Sequence, residues 1–336
     1  MKVDGTIGAE LDRAAKQARQ AEADGYDAVW TGETSHDPFF PLVLAAEHTE
    51  RIGLGTGIAV AFARSPMTVA GQAWDLNHFS GGRFLLGLGS QIKPHIEKRF
   101  SMPWSHPAPR MREFISAMRA IWASWQTGAK LDFRGDFYTH TLMTPFFNPG
   151  PNEHGAPKVF LAAVGEGMTR VAGEVADGML VHAFTTSRYL RDVTMPNIEA
   201  GLRSSGRTRQ DFELSYPAFV ITGQTDEQIA QASDATRKQI AFYASTPAYR
   251  PVLELHGWGD LQTELNTLSK RGEWDEMGRR IDDEVLDAFA VSGSPDDIAD
   301  LLAKRFEGLI DRISLYLTYR TGGEVVPRVL AGLQGV

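Results

Sequence analysis

Two hydrophobic periods alternate along the chain from end to end. Continuous apolar runs predict strands at 2–8 (KVDGTIG), 26–31 (YDAVWT), 52–60, 83–89, 158–164 (KVFLAAV), 179–184 (MLVHAF), 213–221 (ELSYPAFVI) and 312–319 (RISLYLTY). Runs of this kind are buried on both faces, as parallel strands covered by helices must be. Between them apolar residues recur at helical spacing. Leu11, Ala14, Ala15, Ala18 and Ala21 do so after the first strand, and Met111, Phe114, Ile115, Met118, Ile121, Trp122 and Trp125 after the fourth. Met67 to Phe79 reads as the helix between the third and fourth strands. Ser294-Pro295-Asp296-Asp297 predicts another helix start, ahead of Ile298, Leu301 and Leu302. It offers a hydroxyl cap, a proline in the first turn and acids at the positive end of the helix dipole.

Eight strands alternating with helices predict an α/β fold, a (β/α)8 TIM barrel with insertions after strands 4 and 7. A doubly wound sheet would alternate similarly. One domain spanning 1–336 accounts for the whole pattern, with insertions at about 91–110, 129–157 and 224–290. The first two are rich in Pro, Gly, His and aromatics and flank the fourth helix. The third is mostly polar and helical. Long excursions at barrel loops are usually functional or interfacial. The third and fourth strands carry glycines towards their carboxyl ends, Gly53, Gly55 and Gly57 in one and Gly87 and Gly89 in the other. In a barrel that end carries the site, and glycine there either admits a ligand to the backbone or marks tight packing.

Composition narrows the partners. The 336 residues are 43% hydrophobic, enough for one barrel-sized core. Lys+Arg number 34 against Asp+Glu 42, a net charge of −8 with no block of like charges, which argues against nucleic acid. Cysteine is absent, so disulfides, thiolate metal sites and catalytic thiols are excluded. The nine histidines show no H-E-x-x-H or other close ligand spacing, and no metal is expected. No apolar run reaches the ~18 residues of a membrane helix, and the opening MKVDGTIG lacks the apolar stretch of a signal peptide. A cytoplasmic protein acting on a small-molecule substrate is expected, with no membrane partner.

Four segments carry candidate chemistry. After the second strand, Trp30-Thr31-Gly32-Glu33-Thr34-Ser35-His36-Asp37 places Glu33 and His36 at the rim as candidate general acid or base. Alternatively, Ser35 or Asp37 caps the next helix and Glu33 satisfies loop amides. The strand end Gly55-Thr56-Gly57-Ile58-Ala59-Val60 is either a tightly packed strand or a bulge that supports a flat ring. Val164-Gly165-Glu166-Gly167-Met168-Thr169-Arg170 opens a helix after the fifth strand, where exposed amides bind phosphate without a cation. It is not a dinucleotide fingerprint, because Arg170 replaces the third glycine and no acid follows about 20 residues on. After the fourth strand, Ser90 and Gln91 can hydrogen-bond a heterocycle edge and Lys93 can meet an acidic group, while His95 reads as surface. His182 reads as a core or rim histidine, and Trp74, Trp122 and Trp125 as core.

AFARSPMTVAGQAWDLNHFSGGRFLLGLG closely resembles the luciferase-like flavin and coenzyme F420-dependent oxidoreductases. Arg64, Pro66, Asp75, Gly82, Arg83, Gly87 and Gly89 fill that family's pattern, with Phe79 where leucine is usual. HPAPRMREFISAMRAIWASWQTG with FRGDFYTH resembles its fourth helix and hairpin, VFLAAVGEGMTRVAGEVADGML its phosphate-binding turn, and VSGSPDDIADLLAKRFEGLIDRISLYL its last helix and strand. The resemblance implies a barrel oxidoreductase whose cofactor ring rests on a bulge with a non-proline cis peptide, at Gly57–Ile58 or one residue later, hence Gly57, Ile58 and Ala59. It implies a phosphate held at Val164, Gly165, Glu166, Gly167 and Met168, and Ser90 and Gln91 beside the ring or its tail. It leans to coenzyme F420 and hydride transfer between the deazaflavin and a small organic substrate, with Glu33 or His36 giving the proton. F420-using relatives often carry Asp-His after the second strand, where this chain has Glu33 and Thr34. The alternatives are an FMN-dependent monooxygenase and a catalytically inactive cofactor-binding protein. F420 has an acidic tail, so a converging track from Arg64, Lys93, Arg170 or Arg188 would favour it. The resemblance also implies a homodimer, joined through the apolar helices after the second and third strands.

Overall fold

The computed structural model describes residues 1–335. Eight strands occupy the places that the apolar runs predict: β1 (Lys2–Thr6), β2 (Ala28–Thr31), β3 (Gly53–Thr56), β4 (Phe84–Gly89), β5 (Lys158–Ala163), β6 (Gly178–Val181), β7 (Glu213–Ile221) and β8 (Arg312–Tyr316). Each pairs in parallel with the next, and β8 returns to β1 with Lys2 opposite Arg312 and Asp4 opposite Ser314. The sheet therefore closes on itself as a (β/α)8 barrel, not a doubly wound sheet. Helices cover it, among them α1 (Leu11–Ala23), α2 (Phe39–Glu47), α3 (Pro66–Phe79), α4 (Pro107–Thr127) and α5 (Glu166–Val175). Ser65 caps α3 by accepting from the Thr68 amide at 3.1 Å, and Pro66 fills its first turn. Before Ile298–Phe306 the expected cap becomes a separate turn. Its amides at Asp297 and Ile298 donate to the Ser294 carbonyl, the Ser294 hydroxyl bonds Asp297, and the helix starts at Ile298.

The predicted third strand is interrupted. After Thr56 the chain breaks at Gly57 and Ile58 and resumes as Ala59–Val60, which pairs only with β4. Two features had no apolar run to announce them. Ala290–Ser292 adds to the edge of β7, and Phe133–Arg134 pairs with Thr139–His140 in a hairpin. That hairpin is held by Glu113 of α4, which accepts from the amides of Asp136 and Phe137 at 2.9 and 2.7 Å.

Side chains alternate across each strand. One parity packs under the helices and is large and apolar: Val3, Val29, Leu54, Leu86, Leu88, Val159, Leu161 and Ile313 are all buried in one core. The opposite parity faces the lumen and is mostly small: Thr6, Gly55, Gly57, Gly87, Gly89, Ala162, Ser215 and Ser314. The larger Trp30 occupies the room the glycines leave. A Cβ on Gly55 would lie 2.3 Å from its ring, and Phe160 meets that ring edge-on at 5.5 Å. Gly87 is different: a Cβ there would lie 1.8 Å from the Thr56 carbonyl oxygen.

Below Trp30 the lumen is sealed by charge. The indole N–H donates to Asp4 Oδ2 at 2.9 Å, and Arg312 grips the same carboxylate through Nε at 2.8 Å and Nη2 at 2.6 Å. Arg312 also meets Glu213, which Lys2 and Lys158 hold from outside at 3.1 and 2.7 Å. Burial would raise Glu213, but donors from Lys158, Lys2 and Arg312 bring it down to about 2. Burial likewise works against the Arg312 cation, and Asp4 and Glu213 more than offset it, holding its pKa above the ordinary value.

A second apolar cluster lies under the 224–290 excursion, where Phe184, Phe219, Ile240, Leu253 and Phe289 are buried. On the barrel's flank, α2 and α3 expose Phe40, Val43 and Phe79 around a groove of about 310 Å³. Among the described residues no helix is long and apolar enough to cross a membrane.

Gly87→Ala forces β3 and β4 apart against a backbone carbonyl and is expected to destabilise by roughly 1–3 kcal/mol. Gly71→Ala, mid-helix in α3 with nothing within 4 Å of its Cβ, is expected to gain about 0.5–1 kcal/mol. Urea unfolding checks both; a neutral Gly87→Ala would contradict the close strand approach.

Candidate active site

A cavity of about 830 Å³ opens at the carboxyl ends of the strands and descends into the lumen to Trp30. It exists because the lumen-facing residues are small, and its size suits a small-molecule site. Thr6, Gly57, Gly89, Ala162, Leu180, His182, Ser215, Pro217 and Ser314 of the lumen parity line it. Two insertions complete the wall. The segment after β4 gives Ser90, Gln91, Ile92, Lys93, Trp104, Pro107 and Ala108, and the 224–290 excursion gives Thr246, Ala248 and Tyr249. Residues 129–157, expected to help shape the site, contribute nothing to it.

The Gly57–Ile58 peptide is cis. Its surroundings clamp it, with Gly57 N–H donating to the Thr31 carbonyl at 2.8 Å and Glu33 N–H to the Ile58 carbonyl at 3.1 Å. The Ile58 side chain packs where a Cβ on Gly89 would stand, 2.8 Å from its Cδ1. Gly57 and Ile58 thus form one wall, while Ala59 is fully buried beneath it. Two strands on, Gly165 takes φ +78, a conformation open to glycine, and a Cβ there would enter empty space. It starts α5 with no side-chain cap, so the amides that follow have no side-chain acceptor among the described residues. Val164, Gly165 and Met168 line the cavity; Glu166 lines a small adjoining pocket, and Gly167 lies outside the wall. Ser90 and Gln91 line it too, and Gln91 holds the left-handed region at φ +60, with its side chain accepting from the Ile92 amide.

The expected proton donors are not in this wall. Glu33 Oε2 accepts from the Val60 amide at 2.7 Å and from Arg64 Nη1 at 2.6 Å, and its carboxylate is nearly buried. It pins the chain where β3 breaks, because a carboxylate at a strand end is satisfied best by such donors. His36 is exposed on the loop beyond and lines no part of the cavity. The basic residues do not converge either. Arg64 is spent on Glu33 and Asp37, Arg170 pairs with Glu174, Arg188 pairs with Asp192, and of the four only Lys93 lines the cavity, exposed near Glu97.

His182, read from sequence as a core or rim residue, faces the cavity together with Tyr249. Phe184 N–H donates to its Nδ1 at 3.0 Å, and its Nε2 stands 3.1 Å from the Tyr249 hydroxyl. The rings stack at 4.6 Å, with Tyr243 edge-on at 4.7 Å. Burial lowers His182 to about 4 and raises Tyr249 to about 12, so both are neutral near pH 7. The one sequence signal for these wall residues was the two-residue alternation of small and large positions; for Tyr249, far off in an insertion, there was none.

Residues 2–312 match the family model described as luciferase-like monooxygenase. The chain is 60% identical to the uncharacterized protein Rv1360 of Mycobacterium tuberculosis, over 93% of this chain and 92% of that one. It is 30% identical to the 5,10-methylenetetrahydromethanopterin reductase of Methanolobus tindarius, over 85% and 84%. Among solved structures, the coenzyme F420 dependent tetrahydromethanopterin reductase from Methanopyrus kandleri superposes with a TM-score of 0.78 at 19% identity, covering 98% of this chain and 97% of that one.

Because His182 is neutral when folded, the unfolded chain binds the extra proton once pH falls below the ordinary histidine value. Stability is therefore expected to hold above pH 6.5 and to fall by roughly 2 kcal/mol between pH 6.5 and 5, levelling off below about 4. Denaturant unfolding at both pH values checks this, and His182→Gln should flatten the slope. An unchanged slope would mean His182 titrates normally.

Proposed function

The chain belongs to the luciferase-like monooxygenase family, and from that premise we propose that it is an oxidoreductase that binds coenzyme F420 in the lumen cavity and exchanges a hydride with a small organic substrate. One observation carries this reading: the Gly57–Ile58 wall and the uncapped start of α5 open onto the same apolar cavity. The residues fit the group. Ile58, Trp30 and Leu180 offer flat apolar contact for a tricyclic ring, Ser90 and Gln91 offer polar atoms at its edge, and the amides after Gly165 offer donors to a phosphate. Kinship at 30% identity with a tetrahydromethanopterin reductase, a type of enzyme named as coenzyme F420 dependent in Methanopyrus kandleri, supports the deazaflavin over a flavin.

When bound, the deazaflavin supplies a hydride donor or acceptor at its C5 carbon. The protein's part is placement and exclusion of water. Trp30, fixed by Asp4, sets the depth of the cavity floor. Trp104, backed by Phe62 at 5.7 Å, and the start of α4 add apolar surface to the cavity wall beside the ring.

An FMN-dependent monooxygenase is the second reading. It is favoured by Lys93 being, among the described residues, the lone cation on the cavity wall, because FMN needs only the phosphate pocket and not a basic track for an acidic tail. Titration separates the two, since Trp30 and Trp104 report on the cavity through intrinsic fluorescence. F420 is expected to bind at about micromolar Kd or tighter and FMN at least ~10-fold more weakly. Gly165→Val, which strains a positive φ and fills the phosphate cradle, should weaken F420 by ~10-fold or more. The reverse preference would make FMN the cofactor, and binding of neither would sink both assignments.

A further inference from the structure

The cavity wall is nearly free of charge: apart from the exposed Lys93, the polar side chains lining it are hydroxyls, one amide, two indoles and the His182 ring. Within that neutral wall one hydroxyl is oriented. A backbone N–H can only donate, so the Phe184 amide fixes His182 Nδ1 as a lone pair. The neutral imidazole must then carry its proton on Nε2, and Nε2–H donates to the Tyr249 oxygen. The tyrosine's own hydrogen is thereby turned away from His182, and no acceptor for it stands within reach among the described residues. Stacking on His182 and the edge of Tyr243 hold the ring in place.

We propose that Tyr249 donates a hydrogen bond, and then a proton, to the oxygen of a neutral carbonyl substrate, with His182 as its positioning residue. This rests on the F420 reading above. In the reducing direction the carbonyl carbon receives the hydride from the reduced deazaflavin, which is thereby oxidised by two electrons. The C=O π pair moves to oxygen, the oxygen takes the Tyr249 proton, and the product is an alcohol. The phenolate left behind keeps its bond from His182 Nε2–H and recovers a proton from water. The reverse sequence oxidises an alcohol. Apart from the exposed Lys93 the wall carries no charged side chain among the described residues, so at Tyr249 it selects neutral ketones, aldehydes and alcohols over carboxylates and phosphate esters, because an unpaired charge is costly to bring into such a site. A phenol fits this role because it stays protonated across the physiological range yet is a stronger acid than an alcohol.

The test uses the protein saturated with oxidised F420 and [carbonyl-13C]cyclohexanone as probe. In the wild type the bound carbonyl resonance is expected to move downfield, as it does when its oxygen accepts a hydrogen bond. Tyr249→Phe should keep the F420 affinity and the fold but lose most of that shift, and should lower turnover of any ketone found to react by roughly 10²-fold or more. The 15N spectrum of His182 should show the Nε2-protonated neutral ring from pH 5 to 8. An unchanged carbonyl shift in Tyr249→Phe, with F420 still bound, overturns the assignment, as does an Nδ1-protonated ring. Equal binding of [2-13C]pyruvate overturns the neutral-substrate part. If F420 itself fails to bind, the cofactor reading falls; the Tyr249-dependent shift is still expected with ketone alone, and its absence there would overturn this inference separately.

Discussion

The buried pairing of Arg312 with Asp4, with the Trp30 indole as third donor, is the constraint on which the rest of this barrel depends. Both charged side chains are almost wholly out of water, 4% and 1% exposed, so neither tolerates the loss of the other; removing one partner of such a pair costs about 3–5 kcal/mol. The pair ties the first strand to the last and so closes the sheet. It also fixes the height of Trp30. Above that ring the lumen is lined with glycine, alanine and serine and is hollow; below it the lumen is filled by charge.

Function follows from that division. A barrel of this kind is normally packed through its interior by bulky branched residues. Here the glycines of β3 and β4 make room for Trp30 and for the chain that bulges at Gly57 and Ile58. Glu33 and Arg64 hold the outer side of the bulge, away from the cavity. The site thus has a rigid floor and one rigid wall, and its opposite side comes from the insertions, where His182 of the barrel meets Tyr249 of the excursion. Rigid strand ends carrying variable loops are how this fold hosts different chemistries.

The eight strands, their order and most helix positions were legible because the parallel strands announce themselves as apolar runs and their helices by a 3.6-residue stripe. So were the wall positions Gly57, Ile58, Ser90, Gln91 and Gly165, which stand within two residues of a strand end and which the family resemblance also marks. Glu33 and His36 lie off the cavity wall, and the sequence could not place them: a polar group past a strand end must be satisfied, and the sequence does not say whether by a ligand or by the protein. Here Arg64 and the Val60 amide do it. The basic residues were no easier to place, since Asp37, Glu174 and Asp192 neutralise the arginines locally. Tyr249 was illegible, because its place depends on how a helical excursion folds back over β6, which no local pattern records.

Whether the hollow above Trp30 receives a deazaflavin is decided most directly by a crystal structure of the protein grown with F420. The ring is expected against Ile58 and Trp30, with the phosphate at the amides that follow Gly165. A ring outside the lumen, or a phosphate held by Lys93 alone with the start of α5 vacant, would contradict it.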